Sequence, residues 1–261
     1  MRSLDIGATG MLAQQTNVDV ISNNIANMTT AGFKRGRAEF QDLIYQNIVR
    51  PGSTSSDVGT LVPSGLQLGL GVKVTSVYHM HEQGPLKVTD NPLDLAVTGE
   101  GYFQIELPSG DTAYTRSGSF QLSDTGEIVT AQGYRLLPGI TIPGDAEDIT
   151  VNQSGEVLVK MPGQIAMQNQ GQIQLATFVN PGGLEAVGDT LFMETEASGA
   201  AVVGNPDTEN FGPVRQGTIE SSNVNVVEEI TNLITAQRAY EMNSKIISTS
   251  DDMLGTITQL R

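Results

Sequence analysis

The stretch Asn225–Leu260, NVVEEITNLITAQRAYEMNSKIISTSDDMLGTITQL, decides how this chain is read. Val226, Leu233, Tyr240, Ile247 and Leu254 recur every seven residues, and Ile230, Ile234, Ile246, Met253 and Ile257 widen that line into a stripe. A period between 3.5 and 3.6 residues predicts an amphipathic helix with a seam suited to coiled-coil packing. Asn225 is placed to cap the first turn, with Glu228 three residues on as in a capping box. Glu228 and Glu229 also lie where the helix dipole favours acid. No proline interrupts the run. Such a helix is about 50 Å long at 1.5 Å per residue, too long for a small globular domain to cover. It needs a partner.

The partner stands at the other end of the chain. Leu4, Met11, Val18 and Ile25 repeat the seven-residue spacing, with Ala8, Leu12 and Ile21 beside them. This helix is expected to end near Ala31-Gly32, where glycine suits the left-handed position after a last turn. Lys34, Arg35 and Arg37 follow, near the negative end of the dipole. The two terminal helices are therefore expected to pair, with the middle of the chain inserted between them. Between Ser3 and Phe33 the only charged residues are Asp5 and Asp19; the other polar positions are mainly Gln, Asn, Ser and Thr. A solvated helix face usually carries Lys and Glu, whereas a face depleted of charge suits contact with other protein. Long periodic patterns of this kind mark coiled coils or helical arrays more often than helices buried in one monomer.

The inserted middle has a different rhythm. From Val72 the period is two, in short runs such as Val72–Tyr78, Leu93–Val97, Phe103–Leu107 and Ile173–Val179. Turn signals such as Asn91-Pro92, Ser109-Gly110-Asp111 and Asp124-Thr125-Gly126 separate them. Short strands with no helix between them predict an antiparallel all-β domain at 72–217. The expected class is therefore mainly β with helical termini: a terminal helix at 1–33, an extended connector at 34–71, the β domain, and a second helix within 218–261. Inside the connector, Arg37 to Ile48 is read as a short amphipathic segment with Phe40, Leu43, Ile44 and Ile48 on one side. Arg50–Gly71 is Pro-, Gly- and Ser-rich and reads as irregular or extended, ordered against something by Leu61, Leu66, Leu68 and Leu70.

Composition limits the function. The chain has 261 residues and a formal net charge of −15. The balance is +1 over residues 1–50, −13 over 51–217 and −3 over 218–261. An acidic middle argues against nucleic-acid binding. There are no cysteines, so no disulfide and no thiolate metal site. The opening MRSLDIGATGML lacks a secretory signal pattern, and no apolar run is long enough to span a membrane. His79 and His81, the only histidines, would share a strand face, but a zinc site needs three or four ligands. No serine stands in a hydrolase elbow, Gly69-Leu-Gly71 and Gly99-Glu-Gly101 lack the rest of a dinucleotide fingerprint, and Asp145, Glu147 and Asp148 lack the glycine and closing acid of a calcium loop. No catalytic, cofactor or metal residue is assigned.

Specific strings carry a resemblance. Ser22–Lys34, SNNIANMTTAGFK, resembles the signature of the flagellar rod and hook axial proteins, with Ala26, Asn27, Thr30, Gly32, Phe33 and Lys34 at its core positions. Asn223–Ile230, Gln237–Glu241 and Asn243–Lys245 resemble that family's C-terminal helix. Asn91–Val97, Gly101–Gln104 and Tyr114–Phe120 resemble its middle domain. Tyr45–Val72 is similar to the connector that separates distal-rod subunits from hook subunits. The resemblance implies a non-enzymatic subunit of the distal rod. Its paired helices would form the inner tube of a helical homo-oligomer with the β domain outward, a hollow shaft that transmits torque and passes exported subunits. Implied partners are further copies of itself, proximal rod subunits, hook subunits, the ring bushing around the rod and the flagellar type III export gate. Phe40 and Ile44 have the aromatic-to-hydrophobe spacing read at that gate. No cofactor, nucleic acid or membrane insertion is implied. The alternatives are a hook or proximal-rod subunit and, in a different class, an enzyme or carbohydrate-binding β domain with helical oligomerisation arms. Long apolar stripes on isolated helices predict termini that order on assembly.

Overall fold

The computed structural model describes residues 2–52, 64–164 and 166–259. Leu61, most of the Pro/Gly/Ser-rich connector and Leu260 lie outside the described residues. The chain forms two compact units, one of Met1–Ile25, Gly36–Tyr78 and Val226–Arg261, the other of Ala26–Arg35 and His79–Asn225.

The first unit holds both long helices. α1 spans Arg2–Ala26 and α2 spans Val226–Gln259. Four strands join them in this unit: β1 (Gly36–Asp42), β2 (Tyr45–Val49), β3 (Leu66–Gly69) and β4 (Val72–His79). β1 pairs with β4, and β2 with β3 in an antiparallel hairpin that sets Tyr45 opposite Gly69. Two expectations are corrected here. The segment Arg37–Ile48 is two strands rather than an amphipathic segment with one apolar side. Phe40 lies in β1 and Ile48 in β2, while Leu43 and Ile44 form the link between them. The local spacing does not favour a strand; pairing of β1 with β4 and of β2 with β3 decides the matter. α1 also ends at Ala26 rather than near Gly32. The Thr30 hydroxyl donates to Asn27 Oδ1 at 3.2 Å and the Thr30 amide to the Asn27 carbonyl, a side-chain-stabilised turn that competes with continuation of the helix.

The second unit is built on short strands, all paired antiparallel. In order they are β5 (Leu86–Val88), β6 (Leu95–Val97), β7 (Tyr102–Glu106), β8 (Thr112–Thr115), β9 (Phe120–Leu122), β10 (Ile128–Thr130), β11 (Arg135–Leu136), β12 (Asp148–Val151), β13 (Glu156–Lys160) and β14 (Gln168–Gln172). There follow β15 (Leu175–Thr177), β16 (Glu185–Gly188), β17 (Leu191–Met193), β18 (Val202–Gly204), β19 (Val214–Gln216) and β20 (Thr218–Glu220). Nine of them form one sheet in the order β16-β17-β8-β7-β11-β10-β9, with β15 beside β7 and β18 beside β15. β12-β13-β14 make a three-stranded sheet, and β6 with β19 and β5 with β20 make ribbons.

Alternation along β7 shows how this unit is filled. Successive side chains point to opposite faces of a strand. Phe103 and Ile105 enter one cluster with Leu95, Phe120, Ile128, Leu136, Val157 and Leu175. Tyr102 enters another with Tyr114, Phe178, Leu184 and Phe192. The central sheet is thus covered on both faces, which is why β7 is apolar or buried at nearly every position rather than only at alternate ones.

Candidate functional site

Two groups of residues stand out, one in each unit. In the first, α1 and α2 touch and run antiparallel: Gly7 lies against Ile247, Gly10 against Asn243, and Asn24 against Glu229. The approach is close because two of these residues have no side chain. A Cβ on Gly7 would sit 2.9 Å from Ile247 Cγ1, and one on Gly10 would sit 2.7 Å from Asn243 Nδ2. At the other end Asn24 is buried. It donates to the Gly36 carbonyl at 2.9 Å and to Glu229 Oε2 at 3.4 Å, and its Oδ1 accepts from the Gly36 amide at 2.8 Å.

The seven-residue lines divide unequally in this arrangement. Leu4, Met11, Val18 and Ile25 on α1, and Val226, Leu233, Ile247 and Leu254 on α2, are half-buried. Among the described residues, the fully buried positions of α2 are Glu229, Ala236 and Ser250, three residues after members of that line. Sequence reasoning missed them because they are acidic, small or polar; the signal available was their regular offset of three. Ile230, Tyr240, Ile234, Ile246, Met253 and Ile257, read as part of one stripe, are 43–57% exposed. On α1, Leu12 is 65% exposed. The β2–β3 hairpin adds exposed Tyr45, Ile48, Leu66 and Leu68. Phe40 and Ile44 are exposed at 37% and 83%.

In the second unit the signature residues form a clasp. Gly32 has φ +69°, and a Cβ there would lie 2.4 Å from the Ser117 amide nitrogen, so both backbone shape and space demand glycine. Its amide donates to the Glu220 carbonyl at 2.8 Å. Lys34 is buried. Its Nζ donates to Glu220 Oε1 at 2.6 Å and to the Glu82 carbonyl at 2.7 Å. Burial holds the ammonium below its usual range, while the Glu220 carboxylate pulls it back up. Arg116, also buried, donates from Nη2 to the Gly99 carbonyl at 2.6 Å and lies 5.1 Å above the Tyr102 ring. Its Nη1 is 3.7 Å from Glu220 Oε2. One carboxylate therefore serves two buried cations, and it also accepts from the Gly84 amide at 2.9 Å. Asn223 completes the clasp: its Oδ1 accepts from the Arg35 amide at 2.7 Å and its Nδ2 donates to the Met80 and Glu82 carbonyls.

Of the signature positions, Gly32, Phe33 and Lys34 make this clasp, Asn27 and Thr30 shape the turn before it, and Ala26 ends α1. Glu220, Arg116 and Asn223 were not singled out from the sequence. Nothing in a single sequence says that Lys34 and Glu220, 186 residues apart, meet. His79 and His81 sit beside the clasp. His79 Nδ1 donates to the Lys34 carbonyl at 2.8 Å, His81 Nδ1 is 2.8 Å from the Tyr102 hydroxyl, and both rings pack edge-on to Phe192. Each imidazole is engaged by a single neighbouring oxygen and by aromatic rings rather than by carboxylates.

A signature turn and clasp, and two terminal helices packed at small residues, are the features in which this chain resembles axial subunits of the rod and hook type. Comparison with known proteins agrees over all three parts of the chain. Residues 4–34 match the flagella basal body rod protein family, residues 96–159 the flagellar hook protein FlgE/F/G D1 domain, and residues 215–260 the flagellar basal body rod FlgEFG protein C-terminal family. Flagellar basal-body rod protein FlgG of Caulobacter vibrioides is 61% identical over 261 residues, covering 100% of both chains. FlgG of Agrobacterium fabrum is 49% identical over 99% of both, and FlgG of Bacillus subtilis 39% identical over 100% of this chain and 99% of that one. The chain belongs to the FlgG family of flagellar basal-body rod proteins.

Proposed function

We propose that this protein is a structural subunit of the flagellar distal rod that polymerises through its terminal helices into a hollow shaft. It has no catalytic role in this reading. The observation that carries the proposal is the apolar surface left on helices already paired within one chain: Leu12, Ile230, Ile234, Ile246, Met253 and Ile257 remain 45–65% exposed. Large exposed apolar stripes mark protein interaction sites. Close packing at Gly7 and Gly10 leaves the outer faces of both helices for neighbouring copies, as in a helical array or coiled coil. The exposed β2–β3 hairpin offers the same kind of surface, in the stretch that resembles the distal-rod connector. Membership of the FlgG family supports the further reading. The rod joins proximal rod subunits to hook subunits within a ring bushing, transmits torque, and is fed through the type III export gate, with Phe40 and Ile44 as the pair presented there.

Electron microscopy of purified protein at rising concentration tests this, beside a variant lacking residues 1–30 and 226–261. Straight tubes from the full chain and none from the shortened one are expected. Curved tubes point instead to a hook-like subunit. Monomers at every concentration contradict the proposal.

A further inference from the structure

The clasp holds two cations against one carboxylate, and a third ionisable group stands beside it. His81 is reached through Tyr102: the Tyr102 hydroxyl lies 2.8 Å from His81 Nδ1, and the Arg116 guanidinium lies over the same Tyr102 ring. It is also linked along its own segment. The carbonyl of Glu82, the next residue, takes Lys34 Nζ, and His79, two residues before it, donates to the Lys34 carbonyl. The remaining cover of the ring is apolar, with the Phe192 centroid at 5.2 Å.

We propose that this arrangement is an acid-sensitive latch: protonation of His81 sets a third positive charge beside the Lys34–Glu220–Arg116 cluster and releases the segment 26–35 from the β body. The groups facing His81 make a cation there unwelcome. Lys34 comes from the segment after α1, His79 from the same segment as His81, and Arg116 from the turn after β8. Tyr102 of β7 is neutral, its hydroxyl pushed up to about 12 by burial. Glu220 on β20 is already shared by two cations, and Glu100 lies near Tyr102 and Lys34.

The titration follows from this. Burial first, then Lys34, His79 and Arg116, lower the His81 imidazole from 6.5 to about 4. The docked state therefore prefers neutral His81. Its advantage is complete above pH 6.5 and is lost as pH falls from 6.5 towards 4, at up to about tenfold in the opening equilibrium per pH unit. The latch bonds are local reporters: the Gly32 amide on the Glu220 carbonyl, the Gly84 amide on Glu220 Oε1 and the Arg35 amide on Asn223 Oδ1.

Amide hydrogen exchange on the full chain from pH 7 to 4.5, corrected for intrinsic rates, tests the latch. In the wild-type protein the Gly32, Arg35 and Gly84 amides should lose protection about tenfold per pH unit below 6, while the central strands β7 and β8 keep theirs. In His81→Asn, which retains a side chain able to hydrogen-bond Tyr102, those amides should hold level. Equal acid loss in both proteins would overturn the proposal. If His81→Asn does not fold, the NMR titration of the two imidazoles in wild-type protein decides: latch opening must track His81 protonation. Opening that tracks neither imidazole, or a His81 that titrates near 6.5 with the latch closed, overturns it.

Discussion

Single positions show how unevenly the clasp depends on backbone shape and on charge. Gly32→Ala meets two obstacles, a left-handed φ of +69° and a Ser117 backbone nitrogen that cannot yield. Gly110 has φ +89° with nothing within 4 Å of a would-be Cβ. Gly110→Ala should therefore cost about 1 kcal/mol and Gly32→Ala more than about 2 kcal/mol, a difference read from urea denaturation of the full chain. The charges are equally asymmetric. Glu220→Gln leaves Lys34 and Arg116 buried without their shared carboxylate and should cost about 3–5 kcal/mol. Lys34→Met leaves Glu220 still facing Arg116 and the Gly84 amide, so it should cost less. The double variant should fall well short of the sum of the two, because each partner's absence removes the other's penalty. Additivity in that cycle would mean that the two side chains do not act together.

Among the elements, the helix seam rests on absent side chains as much as on present ones. Gly7→Leu would drive a branched side chain into Ile247, and Ile247→Asp would bury an unpaired charge against Gly7. Both should abolish tube formation in electron microscopy while leaving the β unit resistant to protease. Equal loss of protease resistance would contradict the separateness of the two units. The same seam shows what a sequence makes legible. The seven-residue lines of Leu4, Met11, Val18 and Ile25, and of Val226, Leu233, Ile247 and Leu254, announced the helices and their half-buried faces because hydrophobic periodicity is a local signal. The innermost layer of α2 is Glu229, Ala236 and Ser250, and no hydrophobicity scale points to it. The pairing with α1 buries them, as the Asn24–Glu229 hydrogen bond shows, and that is a tertiary fact. The antiparallel β middle was legible from alternation and turns, whereas its two-faced core, with Tyr102 on one side and Phe103 on the other, was not. Helical spacing at Phe40, Leu43, Ile44 and Ile48 was coincidence, overruled by strand pairing.

For the molecule as a whole, charge and stability are distributed in opposite senses. The stretch 51–217 carries −13 of the net charge, and the helical ends carry little. In the proposed assembly, copies that meet through their helices repel through their acidic middles. Raising the ionic strength from about 0.02 to 0.3 M shortens the screening length from roughly 20 to 6 Å, so the concentration at which tubes appear should fall; a rise would exclude repulsion as the barrier to assembly. The helices, in contrast, bury few residues within one chain: Gly7, Ala13, Ile21 and Asn24 on α1, and Glu229, Ala236 and Ser250 on α2. Hydrogen exchange on dilute protein should find α1 and α2 weakly protected and β7 and β8 strongly protected. Equal protection would show that the helices need no neighbours.

The contact between Lys34 and Glu220 spans 186 of the 261 residues. Closing a loop of that length costs about 5 kcal/mol in chain entropy by the logarithmic rule, and it cannot be attempted before residue 220 exists in free solution. A polypeptide that emerges from a ribosome or a narrow channel N-terminus first can tie Lys34 to His79 and the Glu82 carbonyl early, but its ammonium waits for a carboxylate until residue 220 has followed. Closure is a test of completeness: a chain cut short before β20 has no Glu220 to receive Lys34, and the buried ammonium is left without its carboxylate. An incomplete chain thus carries an unneutralised cation where a finished one carries a pair, with no separate inspector required.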